Sequence, residues 1–349
     1  SYTVTVTGTD LAGNTYAGSD SIEITLDSTA PTVTLSDTDS DNLLAASDTV
    51  TITASFSEAM TATPTISISG TSISNQVMTK IIGGSGSGSH TLLGADIDGE
   101  AANDYTTSVS FSSDGSRVAI GAYANDGNGS NSGHVRIYDY NGSAWVQVGA
   151  DIDGEAANDY SGYSVSISSD GSRVAIGAHN NDGNGSNSGH VRIYDYNGSA
   201  WVQVGADIDG EAADDKSGDS VSLSSDGSRV AIGAYNNDGG GSNSGHVRIY
   251  DYNGSAWVQV GADIDGEAEG DMSGRSVSIS SDGSRVAIGA YANDGGGSNS
   301  GHVRIYDYNG SAWVQVGADI DGEAAEDRSG QSVSISSDGS RVAIGAYAN

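Results

Sequence analysis

The stretch SVSISSDGSRVAIGAHNNDGNGSNSGHVRIYDYNGSAWVQVGADIDGEA, Ser164 to Ala212, decides the fold. It opens on SVSIS, which places Val165 and Ile167 on one face, and such alternation marks a half-buried strand. Ser169–Ser172 (SDGS) carries Asp-Gly, a strong short-range hairpin signal. Arg173–Ala178 (RVAIGA) is then the return strand, and its small residues Ala175, Gly177 and Ala178 suit a crowded inner position. A loop rich in Gly and Asn, Asn180–Gly189, precedes a third strand, His190–Tyr196. An Asn-Gly turn at Asn197 and Gly198 leads to a fourth, Ala200–Val204.

This text recurs. Trp145, Trp201, Trp257 and Trp313, the only tryptophans, stand 56 residues apart, and Asp114, Asp170, Asp226, Asp282 and Asp338 mark related turns. The first copy is one residue short, with YTTS at Tyr105–Ser108 where the second has YSGYS at Tyr160–Ser164. The fifth ends after its second strand. Four short antiparallel strands at this period predict a propeller blade; a solenoid, the competing architecture, uses fewer strands per coil. The expected fold is therefore all-β: a β-propeller of four-stranded blades over 75–349, with five blades visible. Upstream, Ser87–Gly99 aligns with the Trp strand and its loop, and Gln76–Ile82 reads as the strand before it. These halves would pair with the C-terminal half-blade and close a ring, which removes sheet edges; an open part of a larger ring is the alternative.

Composition narrows the function. The 349 residues include 51 Gly, 2 Pro and no Cys, with a net charge of −33 and only 13 Lys and Arg. So few cations exclude binding to a phosphate backbone and argue against anionic membrane surfaces. The excess of carboxylates favours solubility and divalent cations. No apolar run is long enough to span a bilayer, and no stretch reads as a signal peptide. Both ends read as cut inside β-structure, as expected for part of a larger multidomain chain.

Residues 1–74 read differently. Tyr2–Thr7, Ser21–Leu26, Ala30–Leu35, Thr49–Phe56 and Thr65–Ser69 alternate between clusters of Asp, Asn, Ser and Gly, the pattern of a β-sandwich. Thr9–Asp41 resembles the bacterial immunoglobulin-like repeats of large surface adhesins. That resemblance makes Asp27–Pro31 a junction between modules, so the segment would be incomplete, with strands before the junction supplied to the module after it.

The blade text from about Leu92 to Asn349 resembles FG-GAP repeats, the bacterial variant related to integrin α-chain propellers. Trp201 with Gln203, the acidic stretch Gly210–Asp215, Ser217-Gly218, Ser220–Leu223, Ala231–Ala234 and Gly245–Tyr250 carry the resemblance. The family's Phe-Gly is Ser-Gly here, and its calcium-binding DxDxDG turn is Ser-Ser-Asp-Gly-Ser-Arg with a single carboxylate. The resemblance implies adhesion or recognition rather than catalysis, and it does not carry that calcium site over.

The acidic loops are the candidate metal sites. Asp151, Asp153, Glu155 and Asp159 recur as Asp207, Asp209, Glu211 and Asp215, and as Asp263, Asp265, Glu267 and Asp271. Asp-x-Asp-x-Glu offers oxygen ligands from one tight loop, as Ca²⁺ requires; solvated turn carboxylates are the plainer reading. A second spacing suited to Ca²⁺, Asp126-x-Asn128-x-Ser130, loses its Asn to Gly240 and Gly296 in later copies and reads better as a flexible connection. His134, His190, His246 and His302 each open a strand and read as structural, with no second His or Cys at ligand spacing. The tryptophans read as packing between blades.

Variation between otherwise matching copies concentrates at Tyr160 and Tyr163, then Lys216 and Asp219, Met272 and Arg275, and Arg328 and Gln331. These positions join one blade to the next and are the candidate ligand-binding face; drift at exposed loop positions is the alternative. The expected function is a non-enzymatic, secreted or cell-surface module with a structural and adhesive role, whose partner is a surface glycan or a protein. A lectin-like carbohydrate-binding propeller and a polysaccharide-degrading propeller enzyme are the alternatives. An enzyme needs one place where the repeat symmetry breaks around a base or a carboxylate pair, and none stands out.

Overall fold

The computed structural model describes residues 92–348 throughout and, within 1–91, the backbone of six strands. The chain divides into two units, Ser1–Leu92 and Leu93–Asn349.

In the first unit, Val4–Thr9 pairs antiparallel with Thr15–Ser19 on one side and Thr65–Ile68 on the other, and Val33–Asp37 pairs with Ile52–Phe56. The pairing of Val4–Thr9 with Thr65–Ile68 joins strands on either side of Asp27–Pro31 in the sequence. Ser21–Leu26 lies outside the described residues. Gln76–Val77 pairs with Thr65–Ile66 in this sheet, so this strand does not provide the half-blade assigned to it from the sequence.

The second unit is all β. It consists of repeated antiparallel sheets in the order of a propeller blade, ending in the hairpin Ser329–Ile335 with Val342–Ala346. In the second blade the strands are Ser164–Ile167, Arg173–Ala178, His190–Tyr196 and Trp201–Gln203, paired in sequence order. The fourth strand is interrupted. After Gln203 the chain bulges out at Gly205, whose φ is +79°, and returns as Ile208–Asp209 to pair with Val191 and His190. A hydrogen bond from Gln203 Nε2 to Asp207 Oδ1, 2.6 Å, closes the bulge.

Each blade packs its back on the front of the blade before it. Val165, Ile167, Val174, Ile176 and Tyr194 of the second blade meet Ala119, Val135, Ile137 and Ile152 of the first, with Trp201 at the rim. The next two junctions repeat this set. Burial of each such Ile or Val stabilises the fold by about 1.5–3 kcal/mol. The first strands of successive blades lie side by side, and their outer N–H groups need partners. The serines of SVSIS supply them: Ser166 Oγ accepts from Leu223 N, Ser222 Oγ from Ile279 N, and Ser278 Oγ from Ile335 N.

The rim is stitched by arginine. Arg173 binds both oxygens of Asp195 in its own blade, at 2.6 and 2.7 Å, and donates to the Gly227 carbonyl in the next. Its guanidinium also lies 4.9 Å from the centre of the Tyr252 ring. A bidentate pair of this kind is among the stronger polar contacts a protein makes.

Candidate recognition face and histidine–carboxylate clusters

The variable residues are brought together by the loop that enters each blade. Tyr105, Tyr160, Lys216, Met272 and Arg328 occupy one repeated position, and all have a left-handed backbone, with φ of +49°, +57°, +61°, +56° and +57°. Glycine or asparagine takes this conformation at little cost, whereas other residues lose about 1–2 kcal/mol there. In several copies the residue at this position meets the side chain that ends the second strand. Tyr160 stacks on His179 with ring centres 5.8 Å apart, Tyr291 Oη donates to Met272 Sδ, and Arg328 lies over Tyr347. Lys216 instead reaches back, donating from Nζ to Asn180 Oδ1 at 2.6 Å.

The second variable position packs inward beside the first. Tyr163 sets its edge against His179, with ring centres 4.1 Å apart. Asp219 is buried and pairs with Arg275, which also lies over Tyr235. Burial pushes the Asp219 carboxyl up to about 6 against the pull of Arg275. Burial, with Lys216 and Arg275 adding to it, pushes His179 down to about 3. Tyr160, Tyr163, Lys216, Met272, Arg275, Arg328 and Gln331 are all half-buried. They form a surface of aromatic rings and cations whose members brace one another across blades.

The acidic loops behave otherwise. Among the described residues, no three of Asp151, Asp153, Glu155 and Asp159 come together as one cluster, and the same holds for the equivalent loops. Asp159 is buried and serves the loop itself: its Oδ2 accepts from Ala156 N at 2.9 Å and from Asn181 Nδ2 at 3.0 Å. Asp215 and Asp271 do the same in their copies. Asp153, Asp209 and Asp265 are the last residues of the short returning strands and are exposed. The loop carrying Asp182 is held rather than loose, with Asn187 N donating to Asp182 Oδ1 and Asn184 Nδ2 to the Gly210 carbonyl.

The remaining carboxylates point in opposite directions along the stack. Asp207 turns back to His190 of its own blade, and Glu211 runs forward to His246 of the next. Each histidine therefore faces one glutamate from the loop before its blade and one aspartate from the loop after it: Glu100, His134 and Asp151; Glu155, His190 and Asp207; Glu211, His246 and Asp263; Glu267, His302 and Asp319. Burial, with the adjacent arginine adding to it, pushes His190 and His246 down to about 4. Burial also raises Glu155 and Glu211. In the sequence these histidines read as structural because no second His or Cys stands at ligand spacing; the recurrence of DIDGE ahead of each HVRIY is the signal that points to their carboxylate partners.

Trp201 donates from Nε1 to the Val148 carbonyl at 2.9 Å, and Trp257 and Trp313 repeat this bond one blade on. The tryptophans thus pack and tether adjacent blades.

The FG-GAP repeat profile matches residues 151–194 and 263–306, which supports reading the blades as repeats of that type. No curated protein matches the chain. Among solved structures, the periplasmic gluconolactonase PpgL of Pseudomonas aeruginosa is similar at 15% identity and a TM-score of 0.48, over 68% of this chain and 64% of that one. Hydrazine synthase of Kuenenia stuttgartiensis is similar at 15% identity and a TM-score of 0.40, over 73% of this chain and 76% of that one. A putative 6-phosphogluconolactonase from Bacteroides uniformis is similar at 12% identity and a TM-score of 0.41, over 68% and 76%.

Proposed function

We propose that the propeller is a non-enzymatic recognition module of a secreted or cell-surface protein, and that it binds a surface glycan or protein on the face bearing Tyr160, Tyr163, Lys216, Met272, Arg275 and Arg328. One observation carries this reading. Large side chains occupy the left-handed position in the described copies, where glycine or asparagine would cost least. Backbone strain retained at repeated surface positions is characteristic of binding sites. The side chains held there differ from blade to blade while the scaffold does not, as expected of a face whose chemistry is set independently of its fold. Aromatic faces with adjacent cations suit sugars, carboxylated glycans and acidic protein segments.

The test is a paired substitution, Lys216→Asn with Arg328→Asn, assayed on glycan arrays and against extracellular protein libraries. Asparagine tolerates the backbone, so the variant should melt no lower than the parent, with a gain of up to about 1 kcal/mol per site. Any ligand the parent retains should be lost or weakened at least tenfold. Unchanged binding by a folded variant would remove this face from the function.

A further inference from the structure

We infer that each histidine–carboxylate cluster is a binding site for a divalent transition-metal ion of the Zn²⁺ or Mn²⁺ class, with one ion per blade junction. In the second blade, His190 Nδ1 lies 3.9 Å from Glu155 Oε2 and 3.8 Å from Asp207 Oδ2, and the three donor atoms lie within 4.8 Å of one another. The other clusters repeat these separations between 3.8 and 4.0 Å. Such distances are too long for hydrogen bonds. Donors about 2.1 Å from a shared ion stand about 3.4–3.6 Å apart, so seating one requires each carboxylate to close on the ring by a few tenths of an ångström and the two carboxylates to draw together on the ion.

The imidazole is the independent observation. Each of the four rings is 1% exposed. The Nδ1 of His302 is buried without a hydrogen-bond partner and lies 3.9 Å from both Glu267 and Asp319. A buried polar atom aimed at two carboxylates and bonded to neither calls for a partner between them.

The surroundings hold the donors in place. Gln203 Nε2 fixes one oxygen of Asp207, leaving the other toward His190. Arg192 Nη1 lies 3.6 Å from Glu155 Oε1, leaving Oε2 toward the ring. Outer partners of this kind orient metal ligands. The two carboxylates match the charge of a divalent ion, and Arg192 beside Glu155 leaves the occupied cluster with a net charge of +1. One nitrogen and two oxygens favour a first-row transition ion over Ca²⁺, which takes six to eight oxygens. The glutamate side chain is 45% exposed, which gives an ion a route in. Because the glutamate, histidine and aspartate come from the loop before a blade, the blade itself and the loop after it, a bound ion clamps neighbouring blades together.

The test is calorimetric titration of chelator-treated protein with Zn²⁺ and, separately, Ca²⁺, for the parent and for Glu211→Gln and His246→Gln. Glu211 is largely exposed, so its variant keeps the fold even if the histidine variant does not. Four Zn²⁺ per parent chain, three per Glu211→Gln chain and a zinc-dependent rise in Tm are expected. Co²⁺ should give a visible ligand-field band that falls by about a quarter in the variant, as one of four nitrogen-containing sites is lost. Absence of Zn²⁺ binding, a stoichiometry unmoved by Glu211→Gln, or binding of Ca²⁺ alone would overturn the assignment.

Discussion

His179 shows what one side chain can do to a repeated surface. The other copies carry tyrosine at this position, as Tyr123, Tyr235, Tyr291 and Tyr347. His179 instead sits against Tyr160 and Tyr163, its Nδ1 is buried without a partner, and burial pushes it from 6.5 down to about 3. The unfolded chain therefore takes up a proton near pH 6.5 that the folded chain refuses until about pH 3. Stability is full above pH 6.5 and falls as pH drops through that window, by about 1–2 kcal/mol at pH 5. His179→Tyr should remove this loss, so that the difference in unfolding free energy between variant and parent grows on going from pH 7.5 to pH 5. A constant difference across that range would mean that His179 does not titrate between these states.

At the scale of elements, the junction between blades depends on close backbone approach. A Cβ at Gly233 would lie 2.0 Å from the Gly274 carbonyl oxygen and 2.4 Å from Ser220 Oγ. Gly233→Ala should therefore push the second strand of one blade away from the first strand of the next and cost about 3 kcal/mol, read as a fall in the denaturant midpoint. The same substitution at Gly254 meets no atom within 4 Å and should cost less, the left-handed backbone there being its only penalty.

Much of this level is legible in the sequence. SVSIS, SDGS and RVAIGA are local signals, and the strands fall where alternation and Asp-Gly place them. The return of the fourth strand is not legible: the sequence ends that strand at Val204 and makes Asp207–Glu211 a loop, whereas Gln203 closes on Asp207 and Ile208–Asp209 rejoins the sheet. The histidine clusters were hidden for a related reason. Whether Glu211 belongs with Asp207 or with His246 depends on how one blade lies on the next, and nothing inside a single repeat encodes that. The variable face was legible because it required only comparison of copies, although the pairing of Asp219 with Arg275 was not.

The whole propeller unit is a chain of equivalent junctions. Its hydrophobic sets, serine bonds, arginine bridges and histidine clusters recur one period apart. Stability of such a chain is approximately the sum of its units and nearest-neighbour interfaces. Removal of Ser164–Asp219, one 56-residue period, joins Tyr163 to Ser220. It should leave a cooperatively folding protein in which Glu155 faces His246 and Asp263. Loss of the sharp melting transition in circular dichroism would show that the blades are less interchangeable than their contacts suggest.

The serine bonds across the first strands have a consequence for heredity. They use a side chain common to all copies and a backbone N–H common to all strands, so these bonds carry no address saying which copy they expect. A gene built this way can gain or lose whole periods by unequal recombination and still encode a protein whose joints all fit. Diversity can then accumulate on the variable face, and the number of such faces can itself become a trait on which selection acts, with no new interface having to evolve.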